Sequence, residues 1–373
     1  MARSRRVMAF VLLFTALFMY NGKALAVEGV GAQSYITIEQ QSGRVLYAKN
    51  ADAQLPIASL TKVMTALVVL ENAALSEMAT VTPTSYGIEG SSIYLEKGEV
   101  LSVENLLLGL MLQSGNDAAA TLAEHVAGSI AQFAQMMNAK AKELGMVNSH
   151  FVNPHGLPAK EHYSSAADMA IATRAAMQHE AFRRIVSTKR AQMPWANHAY
   201  ERVITNKNRI LTLYEGGNGV KTGYTKQAGR CLIAAAQRDG MQLISVVLNC
   251  PDMWQDSMAL LDEGFGEFSL LQLSATGTPM VTVPSNGKPE SALCIVNEDV
   301  YYPVGLAETI TCQPHYFYDV LPAGVQKGDV IGYLSYMLDG IEVATADIVS
   351  AQTIQEKGII DQLLRILGLY CFK

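Results

Sequence analysis

The sequence predicts an α/β chain of the α+β kind in two folded parts: a mixed domain with one sheet and an all-helical insert, then a small all-β domain. Three observations carry this. Strand-like alternation appears near both ends of the first 270 or so residues, helical periodicity fills the middle, and only short alternating runs remain beyond about residue 272. At 373 residues, half of them hydrophobic and 17% charged, the chain is long enough for two globular domains.

Taken in order, Ser34 to Tyr47 alternates around Gln41-Ser42-Gly43 and predicts a β-hairpin. A helix follows from Ser59, with Val63, Met64, Ala66, Leu67, Val68 and Leu70 apolar and Pro56 just ahead of it. Residues 80–101 predict short strand-like pieces separated by glycine turns. Helices are expected over Ser102–Gln113, Asn116–Ala127, Ile130–Leu144 with Gly145 as its C-cap, and Ser165–His179. From about residue 181 the character turns to strands. Cys231–Ala236 and Gln242–Leu248, joined by Arg238-Asp239-Gly240, predict a second hairpin, and Trp254–Phe268 a helix. Short strands are then expected at Pro279–Val283, Ala292–Val296, Thr309–Cys312, Val330–Leu334 and Ile341–Ile348.

The ends are distinctive. Arg3, Arg5 and Arg6, an apolar stretch from Val7 to Tyr20 and Ala24-Leu25-Ala26 predict an export signal over residues 1–26. Its removal takes away four basic residues and no acid, moving the net charge from −6 to −10. An acidic exported chain argues against nucleic acid as a partner. The tail, Ile354 to Phe372, is apolar at Ile354, Ile359, Ile360, Leu363, Leu364, Ile366, Leu367 and Leu369, with Asp361 and Arg365 interrupting it. It predicts an amphipathic helix, either lying in a membrane interface or packed on protein. The domain limits are thus 1–26, 27–272, 273–350 and 351–373. The five cysteines form no C-x-x-C pair and the histidines no tight cluster, so no metal or other cofactor is expected. Export permits disulfides, with Cys231–Cys250 and Cys294–Cys312 nearest in sequence; the alternative is that all are buried thiols.

Ser59 and Lys62 are three residues apart, which puts both on one helical face. A serine hydroxyl needs an adjacent base, and a lysine serves if burial or a neighbouring cation lowers its pKa. Ser114-Gly115-Asn116 joins two of the expected helices, and Lys221-Thr222-Gly223 opens a strand after a glycine turn. S-x-x-K with S-D-N and K-T-G is a known signature of class A β-lactamases and penicillin-binding proteins, and this chain carries glycine in the middle of the second motif.

Together with Gly90-Ser91-Ser92-Ile93, Leu110 to Ala118, Asn153-Pro154-His155-Gly156-Leu157 and Gly219 to Thr225, these motifs make residues 33–270 resemble the D-alanyl-D-alanine carboxypeptidases, the low-molecular-mass penicillin-binding proteins. The resemblance implies a β-lactamase/transpeptidase-like fold with an antiparallel sheet flanked by helices. It implies peptidoglycan stem peptides as substrate, acylation by β-lactam antibiotics, and a place on the outer face of the bacterial cytoplasmic membrane with peripheral contact through the C-terminal helix. It assigns Ser59 as nucleophile, Lys62 as its base and Ser114 as proton relay. It also assigns Asn116, Lys221, Thr222, Gly223 and Tyr224 to substrate binding, with the backbone N–H groups of Ser59 and Tyr224 at the oxyanion. Glycine at position 115 is the carboxypeptidase form of the second motif, and Asn153-Pro154-His155 stands where a lactamase would carry its deacylating glutamate. A β-lactamase and a catalytically silent penicillin-binding scaffold are the two competing expectations. His155, His162, Asp168 and Cys231 are read as structural.

Overall fold

The computed structural model describes residues 26–358; the export signal, Cys371 and most of the amphipathic tail lie outside them. The described chain divides after Glu267 rather than at 272, because Phe268–Ser274 (β10) pairs with Val300–Gly305 (β13) inside the second unit.

In the first unit, Ser34–Glu39 (β1) and Val45–Lys49 (β2) form the expected hairpin. Gly217–Thr225 (β7), Gly229–Arg238 (β8) and Met241–Leu248 (β9) return from the far end of the unit. The five strands make one antiparallel sheet in the order β2-β1-β9-β8-β7. All eight residues of β9 are buried, so both faces of the sheet are covered at its centre. Ala166–Ala176 (α5) and Met253–Glu267 (α8) both pack on that strand. The tight β8–β9 turn uses Asp239 at φ +48° and Gly240 at φ +81°, the left-handed pair that a two-residue hairpin requires.

The helical insert is built around Thr61–Asn72 (α1), which is buried from Thr61 to Val69 with no polar face. Val103–Leu112 (α2), Asn116–Ala127 (α3), Ile130–Glu143 (α4) and α5 surround it. Ser102, Ser129 and Ser165 cap α2, α4 and α5, each accepting from the backbone N–H three residues on.

Four details differ from the sequence reading. Ser59 lies not on the helix but on a 3-10 turn, Ala58–Leu60, directly before α1. Of residues 80–101 only Met78–Thr80 (β3) and Val100–Ser102 (β4) pair; the chain between them is a long loop. Glu180–Ser187 (α6) is helical where strands were expected, because Phe182, Ile185 and Val186 fall at helical spacing and are all buried. Arg190–Met193 (β5) and Arg202–Thr205 (β6) then form a small hairpin, and Ile210–Leu213 (α7) a single helical turn.

The second unit is a β domain, as expected. Its larger sheet runs β11-β12-β16-β15-β14, formed by Pro279–Pro284 (β11), Ser291–Val296 (β12), Ile310–Tyr316 (β14), Val330–Leu338 (β15) and Ile341–Ser350 (β16). Cys294, Leu334, Ile348 and Ile354 lie in one apolar core. Ile354 is fully buried, and Gln355 bridges Lys288, so residues 354–358 are extended chain that closes this domain rather than the first turn of an amphipathic helix. Cys231, Cys250, Cys294 and Cys312 are free thiols, so neither disulfide pairing that export permitted is present.

Candidate active site

The 3-10 turn and the first turn of α1 place the Ser59 hydroxyl 3.0 Å from the Lys62 amine. Lys62 is wholly buried, and its Nζ also donates to Asn116 Oδ1 and to the carbonyl of His155, each at 2.7 Å. Burial first, then the charge of Lys221 and, after it, of Lys207, holds its pKa well below that of an ordinary lysine; Asp117 opposes the shift. A neutral amine has two N–H groups and one lone pair. In that form Asn116 and His155 match the two N–H groups, and the lone pair is left for the Ser59 hydroxyl 3.0 Å away.

Asn116 is held for this task. Its Nδ2 donates to Glu89 O at 2.5 Å, which fixes the amide so that Oδ1 faces Lys62. A Cβ on Gly90 would stand 2.9 Å from that Nδ2, so the loop can approach only as glycine. Asp117, beside it, is buried and accepts from Ser92 Oγ at 2.6 Å and from the backbone N–H groups of Ile93 and Leu95. Those bonds pin the Ser91–Leu95 loop, whose Ser91 carbonyl accepts from Asn116 N at 2.7 Å. Ser114, nearly buried at φ +62°, turns the chain from α2 towards α3 and makes no hydrogen bond to Ser59, Lys62 or Lys221.

The third motif arrives on the edge strand β7. A Cβ on Gly223 would stand 3.1 Å from the backbone nitrogen of Ser59 and 3.2 Å from Ile57 O; glycine lets the strand lie against the serine turn. Lys221 is buried and donates to Thr222 O at 2.9 Å. Burial, then Lys207, lowers its pKa to about 7. Tyr224, next along, is 66% exposed. Lys207 had no motif to mark it. It is held by bonds to Leu112 O and Gln113 O, at the end of α2 just before Ser114, and its charge acts on both Lys62 and Lys221.

The residues read as structural have structural partners. The His155 ring accepts from Leu157 N at 3.2 Å, and burial, then Lys62 and His162, lowers its pKa to about 3. Its carbonyl is the part that meets Lys62. Asp168 ties Asn148 and Ser149 to the start of α5. Cys231 is buried in β8, where burial pushes its thiol up to about 11.

An antiparallel sheet covered on both faces at its centre, a helical subdomain and a serine bonded to a buried lysine define the class of penicillin-recognising serine enzymes. Sequence comparison agrees: the family described as D-alanyl-D-alanine carboxypeptidase matches residues 21–252, and the penicillin-binding protein 5 C-terminal domain matches residues 268–356. The D-alanyl-D-alanine carboxypeptidase DacF of Bacillus subtilis is 31% identical, with 95% of this chain and 94% of the relative covered. DacC of Escherichia coli is also 31% identical, over 95% of this chain and 92% of its own length. The crystal structure of penicillin binding protein 5 from Haemophilus influenzae superposes with a TM-score of 0.75 at 30% identity, covering 89% of this chain and all of that one. The chain belongs to the D-alanyl-D-alanine carboxypeptidase family. It is a serine peptidase of peptidoglycan, and penicillin binding goes with the family.

Proposed function

We propose that Ser59 is the nucleophile and Lys62 the base that removes the terminal D-alanine of stem pentapeptides. The carrying observation is that the wholly buried Lys62 Nζ lies 3.0 Å from Ser59 Oγ and 2.7 Å from both Asn116 Oδ1 and the His155 carbonyl, so in its neutral form it gives its two N–H groups to those oxygens and turns its lone pair to Ser59. Ser59 Oγ attacks the carbonyl carbon between the two D-alanines as its proton passes to Lys62. The oxyanion is received by the N–H groups of Ser59 and Tyr224. Ser114 and Lys221 return a proton to the leaving amine, D-alanine departs, and water hydrolyses the acyl-enzyme. Asn116 holds the substrate amide as well as Lys62. Lys221 and Thr222 take the free carboxylate of the peptide, which selects a chain end over an internal bond.

A β-lactam enters the same path as far as the acyl-enzyme. The backbone oxygen of His155, not a carboxylate, lies beside Lys62, which supports slow release of that adduct. The matched family acts at the cell wall, from the periplasm or at a membrane. Export to the outer face of the cytoplasmic membrane, peripheral contact through residues 359–373 and the lack of a nucleic-acid partner belong to this proposal. They are supported by the charged-then-apolar start, the apolar tail and the acidic balance. The test is release of D-alanine from a pentapeptide and labelling by a fluorescent penicillin, with wild type and Ser59→Ala side by side. Wild type should do both and Ser59→Ala neither; label retained by the alanine variant would sink the assignment.

A further inference from the structure

We propose that His162 is a positioning residue for the reaction: acting through Thr61, it fixes the Ala58–Ser59 peptide plane and so aims the N–H of Ser59 at the oxyanion. The inference rests on the role given to Ser59 above.

The direction of each bond follows from its donors. The backbone N–H of Val152 donates to His162 Nδ1 at 3.1 Å, so Nδ1 carries a lone pair and the ring proton sits on Nε2. Nε2 lies 2.9 Å from Thr61 Oγ1 and donates to it. The Thr61 hydroxyl is then free to donate onward, and it reaches Ala58 O at 2.9 Å. The backbone N–H of Thr61 reaches the same carbonyl. Burial, then His150, lowers the pKa of His162 to about 4, so the ring is neutral and this single tautomer persists at neutral pH.

Ala58 O and Ser59 N belong to one trans peptide unit, in which C=O and N–H point in opposite directions. Holding the carbonyl therefore sets the N–H. The plane needs holding, because Ala58 sits at φ +48°, a region that disfavours an L-residue. Gly156 closes the other side: a Cβ there would stand 1.9 Å from Ala58 O and 2.8 Å from Thr61 Oγ1. Val152 precedes the Asn153–Gly156 loop whose His155 carbonyl binds Lys62. One imidazole thus joins the loop that holds the base to the turn that carries the nucleophile, without touching either reacting group.

The experiment uses four single variants, one double variant and a rate measurement. His162→Gln can keep a donor at the Nε2 position, whereas His162→Asn can keep only the acceptor for Val152. Thr61→Val removes the hydroxyl and Thr61→Ser retains it. Acylation by a fluorescent penicillin is followed in single turnover per folded molecule, with initial affinity, KM for the pentapeptide and melting temperature recorded beside it. His162→Asn and Thr61→Val should acylate about 10- to 100-fold more slowly with initial affinity and KM unchanged, at or below the cost of losing one oxyanion donor outright. A tetrahedral boronate analogue should weaken by the same factor. His162→Gln and Thr61→Ser should stay within about threefold of wild type, and His162→Asn with Thr61→Val should be no slower than either alone. Wild-type acylation by His162→Asn or Thr61→Val would overturn the proposal, as would equal losses for Gln and Asn that track melting temperature. Penicillin label surviving Ser59→Ala would overturn the underlying assignment instead, so the two failures are read apart.

Discussion

Gly156→Ala is the sharpest test of how the serine turn is held. The added methyl meets two penalties. Gly156 sits at φ +84°, where alanine is strained, and the new Cβ would stand 1.9 Å from Ala58 O and 2.5 Å from Ala58 C. An ordinary carbon–oxygen contact is about 3.3 Å, so one backbone must yield by roughly 1.4 Å. Backbone strain of about 1–2 kcal/mol and overpacking of about 1–3 kcal/mol together predict a loss of about 2–5 kcal/mol. The part of the shift taken by Ala58 moves Ser59 with it, because the two share a peptide unit. A 1 Å misplacement near the reacting atoms costs on the order of 100-fold in rate. Urea unfolding reads the first quantity, and penicillin acylation per folded molecule reads the second. A variant with wild-type stability and wild-type acylation would refute the reasoning, since the methyl cannot be housed without moving one of the two strands of chain.

Lys62→Met should acylate about 10²- to 10⁴-fold more slowly while keeping initial β-lactam affinity; labelling at the wild-type rate would mean that another group is the base. With the Lys221 pKa at about 7, KM for a carboxylate-ended peptide should rise as pH passes that value, and a flat profile would remove Lys221 from carboxylate recognition. The stability sign is also set: above about 7 the folded Lys221 has lost its proton while an unfolded lysine keeps it, so this group makes unfolding harder as pH climbs towards 10.5. Arg202→Met should cost about 3–5 kcal/mol in urea unfolding, because Glu99, bonded by Arg202 at 3.0 and 3.1 Å, would be left buried without its countercharge, keeping only the backbone N–H groups of Glu96 and Ala196. Adding Glu99→Leu should recover part of that loss, and a single-variant cost under about 1 kcal/mol would contradict it. Deleting residues 359–373, which spares the core residue Ile354, should move the protein from the membrane to the soluble fraction with acylation intact; an unchanged membrane fraction would count against the anchor.

Much of the first unit was legible because its signals are local. The hairpins at residues 34–49 and 229–248, and the helices capped by Ser102, Ser129 and Ser165, carry their own turn and cap chemistry. The errors fell where local signals compete. Phe182, Ile185 and Val186 fit a short strand or a short helix, and packing chose the helix. Ile354 reads as the start of an amphipathic face, yet it fills the β domain's core.

By itself the sequence determined most of the elements, their order and the reactive residue types: Ser59 with Lys62, Ser114 with Asn116, and Lys221 to Gly223 are short-range patterns that a linear chain can spell. Tertiary structure alone decided what those residues are. Lys62 is a buried amine of lowered proton affinity and not a solvated cation because folding sets it among Asn116, the His155 carbonyl and two further lysines, all distant in sequence. Glu89, Asp117, His162 and Lys207 enter for the same reason: hydrogen-bond partners and proton affinities depend on burial and long-range contact, which spacing along the chain does not encode.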